Sequence, residues 1–163
     1  MCSQSKTDLM GRRRILVFSF LAVAMLGSVG TGVVSAFQSS QEEETVKKLQ
    51  IASVQHELVL LLVEKKNFDR VQAEWKKVLD LKLDGKYEGA IAQSLLTIGY
   101  KLSEAKQFAL AQKILDESLP AVEFSNKDRA DIFRFKAYLF KEAGDLDAAI
   151  GALRQASELA AKP

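Results

Sequence analysis

The sequence predicts an all-α protein of stacked antiparallel helix pairs, and three observations carry that prediction. Ala, Leu, Lys, Glu and Gln dominate from Glu42 onward, a helix-forming composition in which strand signals are scarce. Turn-forming triplets recur at Asn67-Phe68-Asp69, Gln107-Phe108-Ala109 and Asp145-Leu146-Asp147, each between two helix-length amphipathic segments and spaced by 40 and then 38 residues. After each triplet the same stripe returns: Val71, Trp75, Val78; then Ala111, Leu115, Ser118; then Ala149, Leu153, Ala156. Steps of four and three residues keep these side chains on one helix face, so each unit owns an apolar side that only stacking removes from water.

The first 36 residues are of another kind. Arg12-Arg13-Arg14 precedes Ile15 to Val34, twenty residues without a charge, and Val34-Ser35-Ala36 closes the run. A positive region, an apolar region and small residues before a cut are what signal peptidase reads, so cleavage is expected after Ala36. The alternative is an uncleaved anchor, since ~20 apolar residues span a bilayer. Gly27, Ser28, Gly30, Thr31 and Gly32 weaken the second half as a helix and suit a processed end. In both cases the rest of the chain is exported, to the periplasm or the exterior, and touches a membrane only through this segment. Arg12-Arg13 faintly resembles a twin-arginine signal, but the strongly apolar run fits the general secretory route. Ser35-Ala36-Phe37 also resembles the junction of an algal plastid presequence, which the acidic Glu42-Glu43-Glu44 opposes. Cys2 precedes the apolar run and so does not match a lipoprotein signal; its removal leaves neither a disulfide nor a thiol nucleophile.

Charge excludes one class of partner. The first 36 residues hold four of the 23 basic and one of the 21 acidic side chains, which leaves 19 against 20 in the body. No basic stripe marks a nucleic-acid footprint.

Within the body, residues 37–163, each element has a local cause. Ser40 with Glu43 matches a capping box and is expected to start the first helix. The first helices of the three pairs turn Leu58, Val59, Leu62, then Ile98, Gly99, Leu102, then Phe133, Ala137, Phe140 inward. Leu83-Asp84-Gly85-Lys86 supplies a glycine stop after the first pair, and Pro120 ends the second helix of the second pair. Ser125 with Asp128 caps the next helix. Gly144-Asp145 breaks one helical pattern and caps the last. The units run over about 42–84, 86–120 and 126–161, and the third is expected to close the array with Arg154, Gln155 and Glu158 facing water. An ordinary antiparallel bundle without a groove is the other arrangement these residues permit.

The turn at Gly144-Asp145, followed by small, large and small side chains at Ala149, Leu153 and Ala156, resembles the turn and second helix of a tetratricopeptide repeat. Gly99 and Ala137 stand where that family has a small residue; Val59 departs from it, and Trp75 replaces its usual Phe or Leu. The units are also longer than the family's ~34 residues. The resemblance spans roughly Glu42 to Ala160, and it implies a right-handed superhelix of about six helices whose first helices line a concave surface. The family's groove positions fall on His56, Leu60, Tyr100, Arg134, Tyr138 and Lys141. Members that clamp chaperone carboxyl termini use Lys and Asn where this chain has His56 and Leu60, so that specialised function is not expected.

Chemistry is sparse. His56 is the sole histidine, and no second His or Cys completes a zinc set. No metalloprotease, serine-hydrolase or phosphate-loop motif is present. Asp145 and Asp147 sit in a turn where Asp is preferred for capping, and Glu42-Glu43-Glu44 suits the first turn of a helix. Lys65-Lys66 and Lys76-Lys77 read as solvated faces. Of Phe133, Phe135, Tyr138 and Phe140, Tyr138 is set off from the stripe and points to the groove. The sequence therefore leads to an exported, non-enzymatic adaptor that binds a protein or peptide in its groove without a cofactor. The alternative is a structural or accessory subunit of a membrane-associated complex, held by an uncleaved N-terminal helix.

Overall fold

The computed structural model describes residues 35–162, with side chains from Gln41 onward. The expected signal region, including Cys2 and Ile15 to Val34, lies outside the described residues. Six helices follow one another: α1 Ser35–Glu64, α2 Phe68–Asp80, α3 Glu88–Glu104, α4 Phe108–Ala121, α5 Asn126–Glu142 and α6 Leu146–Ala160, with a 3-10 turn at Gly85–Tyr87 before α3. No strand occurs among the described residues. The fold is an all-α helical repeat, as the periodicity predicts. No described helix is long and apolar enough to cross a membrane.

Each pair is closed by the same turn. The residue that ends it has positive φ: Lys66 (58°), Lys106 (62°) and Gly144 (86°). In every case its N–H donates three residues back and the next N–H donates five back, as from Lys66 to Val63 (3.0 Å) and Asn67 to Leu62 (2.8 Å). The bonds from Lys106 and Gln107, and from Gly144 and Asp145, repeat this pattern within 0.1 Å. These paired hydrogen bonds satisfy carbonyls that a helix end leaves open. Asp145 then caps α6 by accepting from the Ala148 N–H at 3.0 Å, and Ser125 caps α5 by accepting from Asp128.

Two expected boundaries move. α1 runs through Ser40 from Ser35, so Ser40 does not start it. The stop after α2 is made by Lys82 (φ 46°), three residues before Gly85, which instead opens the 3-10 turn. Pro120 lies in the last turn of α4, which ends one residue later.

The first helices pack side by side, α1 on α3 and α3 on α5, and α2 packs on α4. Trp75 and Ser118 join α2 to α4. Both are buried, and the indole Nε1–H donates to Ser118 Oγ at 2.9 Å while that hydroxyl donates to the Ile114 carbonyl at 2.7 Å. The large stripe residue of one unit thus covers the small stripe residue of the next, with its one polar atom satisfied. Gln72, one turn earlier, donates to Glu117 on α4. The third pair departs from this order: α4 packs on α5, and α6 approaches α5 alone among the described helices.

That difference changes the stripes. Val71, Trp75, Val78, Ala111, Leu115 and Ser118 are buried as expected, but Leu153 is 52 % exposed and the buried face of α6 is Ala149, Ala152 and Ala156. Three alanines let α6 lie close against α5, and the larger Leu153 is turned away. On α5 the core positions are Ile132, Phe135, Ala137 and Leu139, while Phe133 and Phe140 are only half-buried, with Lys136 Nζ over each ring. α5 touches α3, α4 and α6, so more than one of its faces must be apolar.

Candidate functional site

The row of first helices carries the candidate site. Gly99 on α3 sets its geometry: an added Cβ would stand 2.4 Å from Phe135 Cε1, so only the bare backbone admits that ring. With Phe135 seated there, Tyr100 lies with its ring centroid 4.2 Å away, and Tyr138 stacks on Phe135 at 5.8 Å with 21° between the planes. The two tyrosines are 6.5 Å apart and partly exposed, at 53 % and 41 %. They form one aromatic surface on a buried phenylalanine floor, supplied by α3 and α5.

Arg134 and Lys141 lie one turn before and after Tyr138, on the same face of α5. Arg134 Nη1 donates to Asp131 at 2.7 Å, and Lys141 is exposed without an ion-pair partner among the described residues. The surface around the tyrosines therefore combines aromatic area with hydrogen-bond donors and positive charge, a composition suited to recognition.

The two α1 positions differ. His56 and Leu60 sit a turn apart and are both half-buried, with Leu60 packed against the core. The Nδ1 of His56 is buried without a hydrogen-bond partner among the described residues, and burial lowers its pKa, opposed by the nearby Glu57 charge. No aromatic contact ties this pair to Tyr100 and Tyr138. The site that is assembled lies on α3 and α5.

Sequence reasoning missed a second polar cluster. Glu74 on α2, almost buried, accepts from Lys77 at 2.7 Å, Gln55 of α1 at 2.9 Å and Arg70 at 3.4 Å. The Lys77 hydrogen bond, then that of Gln55, holds its carboxyl below the ordinary range. This cluster ties α1 to α2, and its i, i+3 and i, i+4 cations were the legible signal. A cleft of about 210 Å³ lies away from the tyrosines, between the end of α2, the 3-10 turn and the end of α4, with Val78, Leu83, Glu88 and Val122 in its wall. Among the described residues, no three His, Cys, Asp or Glu side chains gather as a metal site.

Comparison with known proteins adds no relative. No protein-family model matches this chain, and neither a curated protein nor a solved structure shows significant similarity to it.

Proposed function

We propose that this protein is an exported, non-enzymatic adaptor of tetratricopeptide-like build that holds a protein or peptide partner across its first helices. The observation that carries the reading is the exposed Tyr100 and Tyr138 pair on the Phe135 floor. Exposed tyrosines already locked against a buried ring lose little side-chain entropy on binding and offer both area and hydroxyl groups. Arg134 and Lys141 favour a partner segment that brings a carboxylate beside an apolar or aromatic side chain. Export rests on Arg12-Arg13-Arg14, the uncharged run Ile15 to Val34 and Val34-Ser35-Ala36.

The test is capture from envelope extracts with the native chain and with a Tyr100→Ala, Tyr138→Ala variant. Both side chains are substantially exposed, so the variant keeps its helical circular dichroism. A partner retained by the native chain and lost by the variant supports the reading; a partner bound equally by both overturns the site. Mass spectrometry of the mature N-terminus tests export processing, with Phe37 as the expected first residue.

A further inference from the structure

The outer face of α6 is apolar and uncovered. Leu146, Ile150 and Leu153 are 62 %, 49 % and 52 % exposed, and steps of four and three residues put them in one stripe. In the repeat register they correspond to Phe68, Gln72 and Trp75 of α2, the face on which α4 packs through Gln72 to Glu117 and Trp75 to Ser118. Where the first two units carry a glutamine, Gln72 and Gln112, α6 carries Ile150. A solvated helix face has no use for that exchange; a stacking face does.

The flank of the stripe identifies the occupant. Asp147 and Arg154 are both exposed, lie on the same side of the stripe and have no ion-pair partner among the described residues. Seven residues separate them, or ~10 Å along the helix, centred near Ile150. A two-fold axis that sets a second α6 antiparallel across the stripe places Leu146 against Leu153 of the second copy and Ile150 against its own equivalent. It also places Asp147 level with the second copy's Arg154, twice over by symmetry. Head-to-tail stacking of α6 on α2 has no such match, because the side of α2 turned away from α4 presents Arg70 and Lys77 folded over Glu74; stacking on the exposed Val54 and Leu61 of α1 would not be restored by mixing Arg154→Asp with Asp147→Arg chains.

We infer that α6 is a self-association surface, on which a second copy of this chain packs antiparallel through Leu146, Ile150 and Leu153 and is registered by reciprocal Asp147 and Arg154 pairs. The surface is separate from the tyrosine site, and variants of it leave capture of a partner by Tyr100 and Tyr138 unchanged.

Sedimentation velocity of the full chain in mild detergent gives the first readout: a dimer, weakened at least about tenfold by Ile150→Asp. Arg154→Asp and Asp147→Arg each bring like charges together and weaken the dimer by about tenfold, whereas an equal mixture of the two variants restores it as a heterodimer. Because these side chains are exposed, unchanged circular dichroism checks each fold. The recovery in the mixture separates charge registration from general damage and from association through any other segment. A monomeric native chain, a dimer indifferent to Ile150→Asp, or a mixture no tighter than its parts overturns the inference.

Discussion

The second helices of the first two units and of the third carry one pattern and meet different fates. Trp75 of α2 and Leu115 of α4 are buried at the large stripe position, and Leu153 of α6, in the same register, is half in solvent. The difference lies in what comes next. α2 is followed by α4 on its outer side and α4 by α5, whereas no described helix lies on the outer side of α6. A stripe tells what a helix is able to bury; burial itself needs a neighbour, and in a stacked array each unit borrows that neighbour from the next.

The largest effect that sharpens this contrast is a charge at the two equivalent positions. Leu115→Asp buries an unpaired carboxylate and should cost about 4 kcal/mol or more. Leu153→Asp should stay within about 0.5 kcal/mol, measured by denaturant unfolding at concentrations where the chain is monomeric. Equal losses would mean that Leu153 is covered in the folded monomer.

Glycines give the next contrast. Gly99→Ala drives a methyl group into Phe135, for a loss of about 1–3 kcal/mol. Gly151→Ala, on the open side of α6 with nothing within 4 Å of the added atom, should instead gain about 0.5–1 kcal/mol from helix propensity. Thermal melts of the two variants moving in the same direction would contradict the close α3–α5 approach.

The turns differ less. Lys66 and Lys106 hold the left-handed conformation that Gly144 holds without strain. Lys106→Gly should therefore stabilise by about 0.5–1 kcal/mol, and Gly144→Ala should destabilise by about 1 kcal/mol. Chemical denaturation of this pair reads whether the three turns are one motif.

Much of this is legible in the sequence. The turn spacing of 40 and 38 residues located all three hairpins, and it reappears in the spacing of Lys66, Lys106 and Gly144. The capping residues Ser125 and Asp145 were equally plain, because capping is a local interaction between neighbours in sequence. The exposure of Leu153 is not legible in the same way, since burial there depends on a neighbouring helix that periodicity alone cannot supply. Phe135 illustrates the same limit. Helical phase set Tyr138 apart, but only the contact with Gly99 shows that Phe135 is the floor that joins it to Tyr100. The Trp75 to Ser118 hydrogen bond spans 43 residues and leaves no local trace.

One repeat position records the contrast in graded form. His56, Leu96 and Arg134 are equivalent by the same spacing: the first two are half-buried, and Arg134 is exposed. A histidine where the next unit has a leucine explains the unpartnered Nδ1 and the pKa lowered by burial from the ordinary 6.5. The folded chain then resists protonation while the unfolded chain accepts it. Above pH 6.5 both are neutral there and the group has no effect. As pH falls below that value the unfolded state takes the proton first, so stability declines until the folded-state pKa is reached and then levels off. Glu44 and Glu74 have pKa values below 4.5, Glu44 through the Lys48 hydrogen bond and Glu74 through that of Lys77, which keeps their titration out of the window. His56→Leu, which copies Leu96, should flatten the melting temperature between pH 7.5 and 5 while leaving it unchanged or higher at pH 7.5. A slope that survives the substitution would place the titrating group elsewhere and remove the case for a buried imidazole in the first unit.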